Sequence, residues 1–161
     1  MKSPIDKIQK YIFKRLVNGE AVFCESFSEG RILISDGVRA FVLLEQDILF
    51  NRARCIETDV IAKSLRSTQG QSEMKITNEL YASHGKFYRK LIPADGSEGA
   101  VWIEEKFRKR FAKGVFVYSG GKSPVCIEDD SKELIAAIMP CDIDGSLRGR
   151  KTADRLRGVI L

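Results

Sequence analysis

SPVCIEDDSKELIAAIMPCDI, Ser123 to Ile143, is the stretch on which the fold turns. An apolar run from Val125 to Ile127 leads into the acids Glu128, Asp129 and Asp130, and a second run from Leu134 to Met139 stops at Pro140. Two short apolar runs around a polar turn predict a β-hairpin. Proline cannot donate to a strand ladder, so Met139-Pro140 ends the second strand.

Just upstream, GVFVYS (114–119) predicts a third strand, joined through Ser-Gly-Gly-Lys. Before it, AVWIEEKFRKRFAKG (100–114) reads as a helix. Ile103, Phe107 and Phe111 form an apolar stripe, Gly114 stops it, and Lys106, Arg108, Lys109, Arg110 and Lys113 crowd the remaining surface. The N-terminal SPIDKIQKYIFKRLVNG (3–19) predicts another helix, with Ser3 as N-cap, Pro4 at the first turn and Asn18-Gly19 as the stop. Ile5, Ile8, Ile12 and Leu16 share one stripe, and Lys7, Lys10 and Lys14 lie on the opposite side.

Between the helices, AVFCESFSEGRILISDGVRAFVLLEQ (21–46) has the short apolar runs and Gly-containing breaks of a β-meander. ETDVIAKSLRS (57–67) predicts a short helix beginning after Thr58 or Asp59. EMKITNELYASHGKFYRKLIP (73–93) predicts two strands around Ser83-His84-Gly85, and ADGSEG (94–99) an exposed loop. Helix then strands thus occurs twice, which argues for an α+β fold with two basic helices packed on antiparallel sheet. Residues 1–143 are expected to form that domain, with 144–161 a basic tail carrying Arg148, Arg150, Lys151, Arg155 and Arg157. The tail reads equally as a DNA-binding arm or a solubilising end, and its last residues, Val159 to Leu161, as an edge strand or a docking segment.

The chain of 161 residues has a formal net charge of +5, which suits either an anionic partner such as nucleic acid or plain solubility. Cys24, Cys55, Cys126 and Cys141 are widely spaced in apolar runs, as expected of reduced thiols in a cytoplasmic protein rather than a disulfide framework or zinc site. No apolar run is long enough to span a bilayer.

Two segments resemble the bacterial DNA polymerase sliding clamp (the β subunit). Ser123-Pro124-Val125-Cys126-Ile127, the acidic turn and Ile135 to Pro140 are similar to the closing hairpin of that family, which finishes in Met-Pro. Ser35-Asp36-Gly37-Val38-Arg39-Ala40 is similar to its Thr-Asp-Gly-His-Arg-Leu segment, with Ser35 for the Thr and Val38 for the His. The resemblance implies a sliding-clamp-like domain, one where a clamp chain has three, continuing past its Met-Pro. It implies a pocket for clamp-binding peptides of replication or repair proteins, built from Gly37, Val38, Arg39 and Ala40 against Ile138, Met139 and Pro140. It further implies contact with duplex DNA, without sequence readout, through Lys7, Lys10, Lys14, Lys106, Lys109 and Lys113, in a homo-oligomer. The alternative implied is a clamp-fold interaction module that forms no ring. A third reading is an RNA-binding domain using Tyr81, Phe87 and Tyr88.

QDILF, Gln46 to Phe50, has the spacing of clamp-binding peptides, and reads either as an exposed docking segment or as core. Other signals are weaker. SGGKS (119–123) lacks the earlier glycine and following helix of a phosphate loop. Glu128-Asp129-Asp130 reads as a solvated turn, and Asp142-x-Asp144-Gly145 lacks the glutamate of a calcium loop. His84, the single histidine, has no acid or nucleophile partner in a matching pattern. No metal, cofactor or enzymatic activity is expected.

Overall fold

A computed structural model describes residues 4–66 and 71–143. Ser3 and the tail from 144 onward lie outside the described residues, as does Asp144 of the calcium-like segment. Helix α1 (Pro4–Val17) ends as its sequence requires. The N–H of Glu20 reaches the carbonyl of Arg15 at 2.9 Å and that of Gly19 the carbonyl of Leu16 at 3.2 Å, with Gly19 at φ +72°. This is a Schellman motif, and its left-handed residue is the one glycine tolerates without a Cβ penalty. Ile8 and Ile12 are buried as the stripe predicts, but Ile5 at its start is exposed.

Three antiparallel strands follow, β1 (Phe23–Ser28), β2 (Arg31–Ser35) and β3 (Arg39–Leu44). A two-residue strand, β4 (Ile56–Glu57), pairs in parallel with β1, so the sheet is mixed rather than purely antiparallel. Helix α2 (Val60–Arg66) leads to β5 (Ser72–Ser83) and β6 (Lys86–Pro93). Their hairpin turns on His84 at φ +48° and Gly85 at φ +75°, the two left-handed residues of a type I′ turn. The only histidine is thus a turn residue.

The predicted helix over 100–114 divides in two. Val101–Glu104 is strand β7, paired with β6, and only Glu105–Arg110 is helix α3. Val101 and Ile103 are buried on one side of β7 while Trp102 and Glu104 lie on the other, a period of two that the longer helical stripe obscured. Lys113 consequently stands in the turn after α3, not on it. The described residues close with β8 (Val115–Tyr118), β9 (Val125–Glu128) and β10 (Leu134–Ile138), the three strands expected.

Among the described residues, ten strands form one sheet in the order β4-β1-β2-β3-β10-β9-β8-β5-β6-β7. Its centre is symmetric in plan: α1 precedes the meander β1-β2-β3, α3 precedes the meander β8-β9-β10, and the two meanders join through their last strands. Beyond β8 the sheet continues to β7, where Cys141 N–H donates to the Trp102 carbonyl at 2.8 Å and ties β7 back to the segment after β10.

Alternation along the central strands feeds two cores. Ile32, Ile34, Phe41 and Ile138 face α1 and α3, where Phe41 meets Tyr11, Phe107 and Phe111 with ring centroids 6.1–6.4 Å apart. Leu33, Ala40, Cys126 and Ala137 point the other way, toward Leu65 and Ile61 of α2. Burial on both faces explains the unbroken apolar run of β2. The domain is therefore α+β, with helices on both faces of a mixed sheet, one more helix than the two expected to pack.

Candidate functional site

The two segments singled out in the sequence are neighbours in space. Ile138 pairs with Arg39 and Ala137 with Ala40 across the β3–β10 junction, and Met139 N–H donates to the Val38 carbonyl at 2.8 Å. Asp36 shapes the turn between β2 and β3. Its Oδ1 accepts the N–H groups of Val38 at 2.8 Å and Arg39 at 2.6 Å, and Gly37 supplies φ +94°. The other carboxylate oxygen takes the Tyr11 hydroxyl from α1 and the Arg39 guanidinium. Burial by itself would raise the Asp36 carboxyl, but the Tyr11 hydrogen bond and the two backbone donors outweigh it and hold the group below the usual carboxylate range. Arg39 also pairs with Glu104 at the end of β7, so one guanidinium spans the turn and the second half of the domain.

Beside this turn lies a groove of about 470 Å³. Val38, Ala40, Ala137 and Met139 line it from the sheet side, and Val60, Ile61 and Leu65 from α2. Val38 is 50% and Val60 62% exposed on its rim. Of the residues assigned to a peptide pocket, Gly37, Val38, Arg39, Ala40 and Met139 line it; Ile138 and Pro140 are buried and do not. The reason is the pleat: if Ala137 and Met139 face the groove, Ile138 between them must face the core.

The wall made by α2 is held in place by a group that sequence reasoning passed over. Glu25, buried on β1, accepts the N–H of Ile61 at 2.6 Å and of Ala62 at 2.8 Å. It satisfies two donors that the first turn of a helix leaves open and brings negative charge to the positive end of the helix. A glutamate between Cys24 and Phe27, at a position where β1 turns inward, was the available signal.

On the opposite face, all six assigned lysines are exposed: Lys7, Lys10 and Lys14 on α1, Lys106 and Lys109 on α3, and Lys113 just beyond it. Alongside α3, buried Glu105 receives two hydrogen bonds from Arg89, at 2.9 and 3.0 Å, and two from Arg108, at 2.5 and 3.0 Å. Desolvation acts to raise its carboxyl, yet the two guanidinium groups prevail and lower it to about 2.

QDILF divides between the two readings. Leu49 is 84% exposed and Phe50 only 7%, packed in the core. Gln9 of α1 clamps the segment, donating to the Asp47 carbonyl and accepting the Leu49 N–H. Tyr81 packs edge-on against Trp102 and Tyr88 is half-buried, whereas Phe87 is open to solvent. Asp129 organises the acidic turn, accepting the N–H groups of Ser131 and Glu133. Among the described residues no cluster of histidine, cysteine or acid side chains could hold a metal, and no helix is long and apolar enough to cross a membrane.

No protein-family model matches the chain, and neither does any curated protein or solved structure.

Proposed function

We propose that this chain is a non-enzymatic protein-interaction module of sliding-clamp-like architecture, which captures a short extended peptide in the groove between α2 and the β3–β10 junction. The observation that carries this reading is the groove itself: half-exposed Val38 and Val60 rim a floor of Ala137, Met139 and Leu65. Such a groove admits two adjacent apolar side chains, the mode by which short linear segments dock. Lys122 at its edge adds a cation, so the matching peptide carries an acidic or carboxylate group beside an apolar pair of the Leu-Phe type. The two helix-plus-meander halves support the clamp-like reading of the fold.

The test is an NMR titration with a Gln-x-x-Leu-Phe peptide. Shifts should move at Val38, Val60 and Met139 and stay fixed in the Val38→Glu variant, whose position is exposed enough for the fold to survive. No perturbation at millimolar peptide would reject the proposal.

A second reading is duplex DNA contact along the face of α1 and α3, favoured by the exposure of Lys7, Lys10, Lys14, Lys106, Lys109 and Lys113. It requires sequence-independent binding that weakens steeply with salt, and a ring-sized homo-oligomer by light scattering.

A further inference from the structure

We propose that the cleft between α1, α3 and the tip of the β5–β6 hairpin binds a nucleotide unit, with Arg110 and its neighbouring lysines holding the phosphate and an unpaired base laid on Phe87. This site lies across the sheet from the peptide groove. It differs from duplex contact because a base stacked on a side chain must be free of its partner.

The cleft, about 630 Å³, is within the range of small-ligand sites. Its charges do not balance. Two acids line it, and both are already engaged: Glu104 with Arg39, and Glu105 with Arg89 and Arg108. Lys86, Lys106, Lys109 and Arg110 also line it, and among the described residues none of these four forms an ion pair.

Arg110 is the telling member. It is half-buried, and burial, followed by the nearby positive charge of Arg39, lowers its affinity for its proton. Glu104 lies near enough to offset part of this but is already paired with Arg39. A partly desolvated guanidinium with no ion pair of its own is costly to keep, and an incoming phosphate relieves that cost through a two-pronged contact. Arg15, on the α1 wall, pairs loosely with Glu20 at 3.8 Å and leaves its buried Nε without a hydrogen-bond partner. A single carboxylate would neutralise one of these cations, whereas a phosphate or a run of phosphates matches several.

The apolar part of the ligand follows from the ring. Phe87 is 51% exposed, one residue past Lys86 at the hairpin tip, and it lines the same cleft. An aromatic face beside free cations is the pairing that holds unpaired bases, by stacking without sequence readout. The type I′ turn at His84-Gly85 fixes the backbone from which Lys86 and Phe87 project, at the rim of the cleft.

The experiment is fluorescence anisotropy on the full chain with a short labelled oligothymidine. Competitors are the same strand annealed to its complement, ADP, and an oligoglutamate. Oligothymidine should bind at low salt, Phe87→Ala should weaken it roughly tenfold, and Lys109→Ala should reduce the salt slope by about one. Both variants alter exposed side chains, so folding is retained and circular dichroism verifies it. Competition by ADP assigns the site to free nucleotides; ADP without effect assigns it to single strands, and either supports the proposal. It is overturned by an absence of binding, by tighter binding to the duplex, by affinity indifferent to Phe87→Ala, or by oligoglutamate binding as tightly as oligothymidine.

Discussion

The N–H of Met139 donates to the carbonyl of Val38 over 2.8 Å, joining the turn after β2 to the end of β10. Through this bond and the adjacent Arg39–Ile138 pair, the two halves of the sheet meet at the edge of the groove. Anything that loosens the junction therefore acts on core and groove together.

The α2 wall offers a way to separate them. Val60→Glu changes a side chain on the groove rim that the core does not use. Its melting temperature should stay within a degree or two of wild type, because surface changes cost at most about 0.5 kcal/mol. Peptide binding, followed by the titration above, should be lost.

Glu25→Ala tests the cap. Removing the carboxylate leaves the N–H groups of Ile61 and Ala62 without their acceptor. Urea denaturation should show a loss of about 1–2 kcal/mol, in line with helix N-cap deletions. Hydrogen exchange at those two amides should accelerate more than at the centre of β2.

Gly114→Ala tests packing where α3 turns into β8. A Cβ built there falls 2.2 Å from Cγ2 of Ile127, a residue buried in the core. The backbone at Gly114 is not left-handed, so the clash and not the dihedral sets the penalty. Overpacking of this kind should destabilise by about 1–3 kcal/mol. Ile127→Ala, which removes Cγ2, should couple favourably with Gly114→Ala in a double-mutant cycle, the pair costing less than the sum of the two single changes.

Acid should act through Glu105. Its carboxyl lies near 2 in the folded protein against an ordinary 4.5. A depressed value means that the stabilisation is complete above the ordinary value and is lost as pH falls from about 4.5 toward 2. Melting temperatures recorded across that window should drop. Glu105→Gln, which strands Arg89 and Arg108, should be less stable at neutral pH by about 3 kcal/mol and show a shallower acid decline.

Ends and turns were legible in the sequence because their causes are local. Asn18-Gly19 stops α1 through one left-handed glycine, and His84-Gly85 makes its hairpin through two left-handed residues. The closing hairpin and the β2–β3 turn were equally readable, and the two segments meet at the β3–β10 junction. The groove's other wall was not. Val60 and Leu65 were readable as helix, but nothing near them in the chain says that Glu25 pins that helix beside Met139.

Chain-local chemistry therefore determined the end of α1, the turns and the α+β class, since φ restrictions and capping act within a few residues. Tertiary structure decided the rest. Pairing with β6 made Val101–Glu104 a strand although its apolar residues also fit a helix. The pleat turned Ile138 inward and left Met139 at the groove, and packing buried Phe50 while exposing Leu49 beside it. In each case the deciding energy is burial against residues distant in the chain, which a local pattern does not contain.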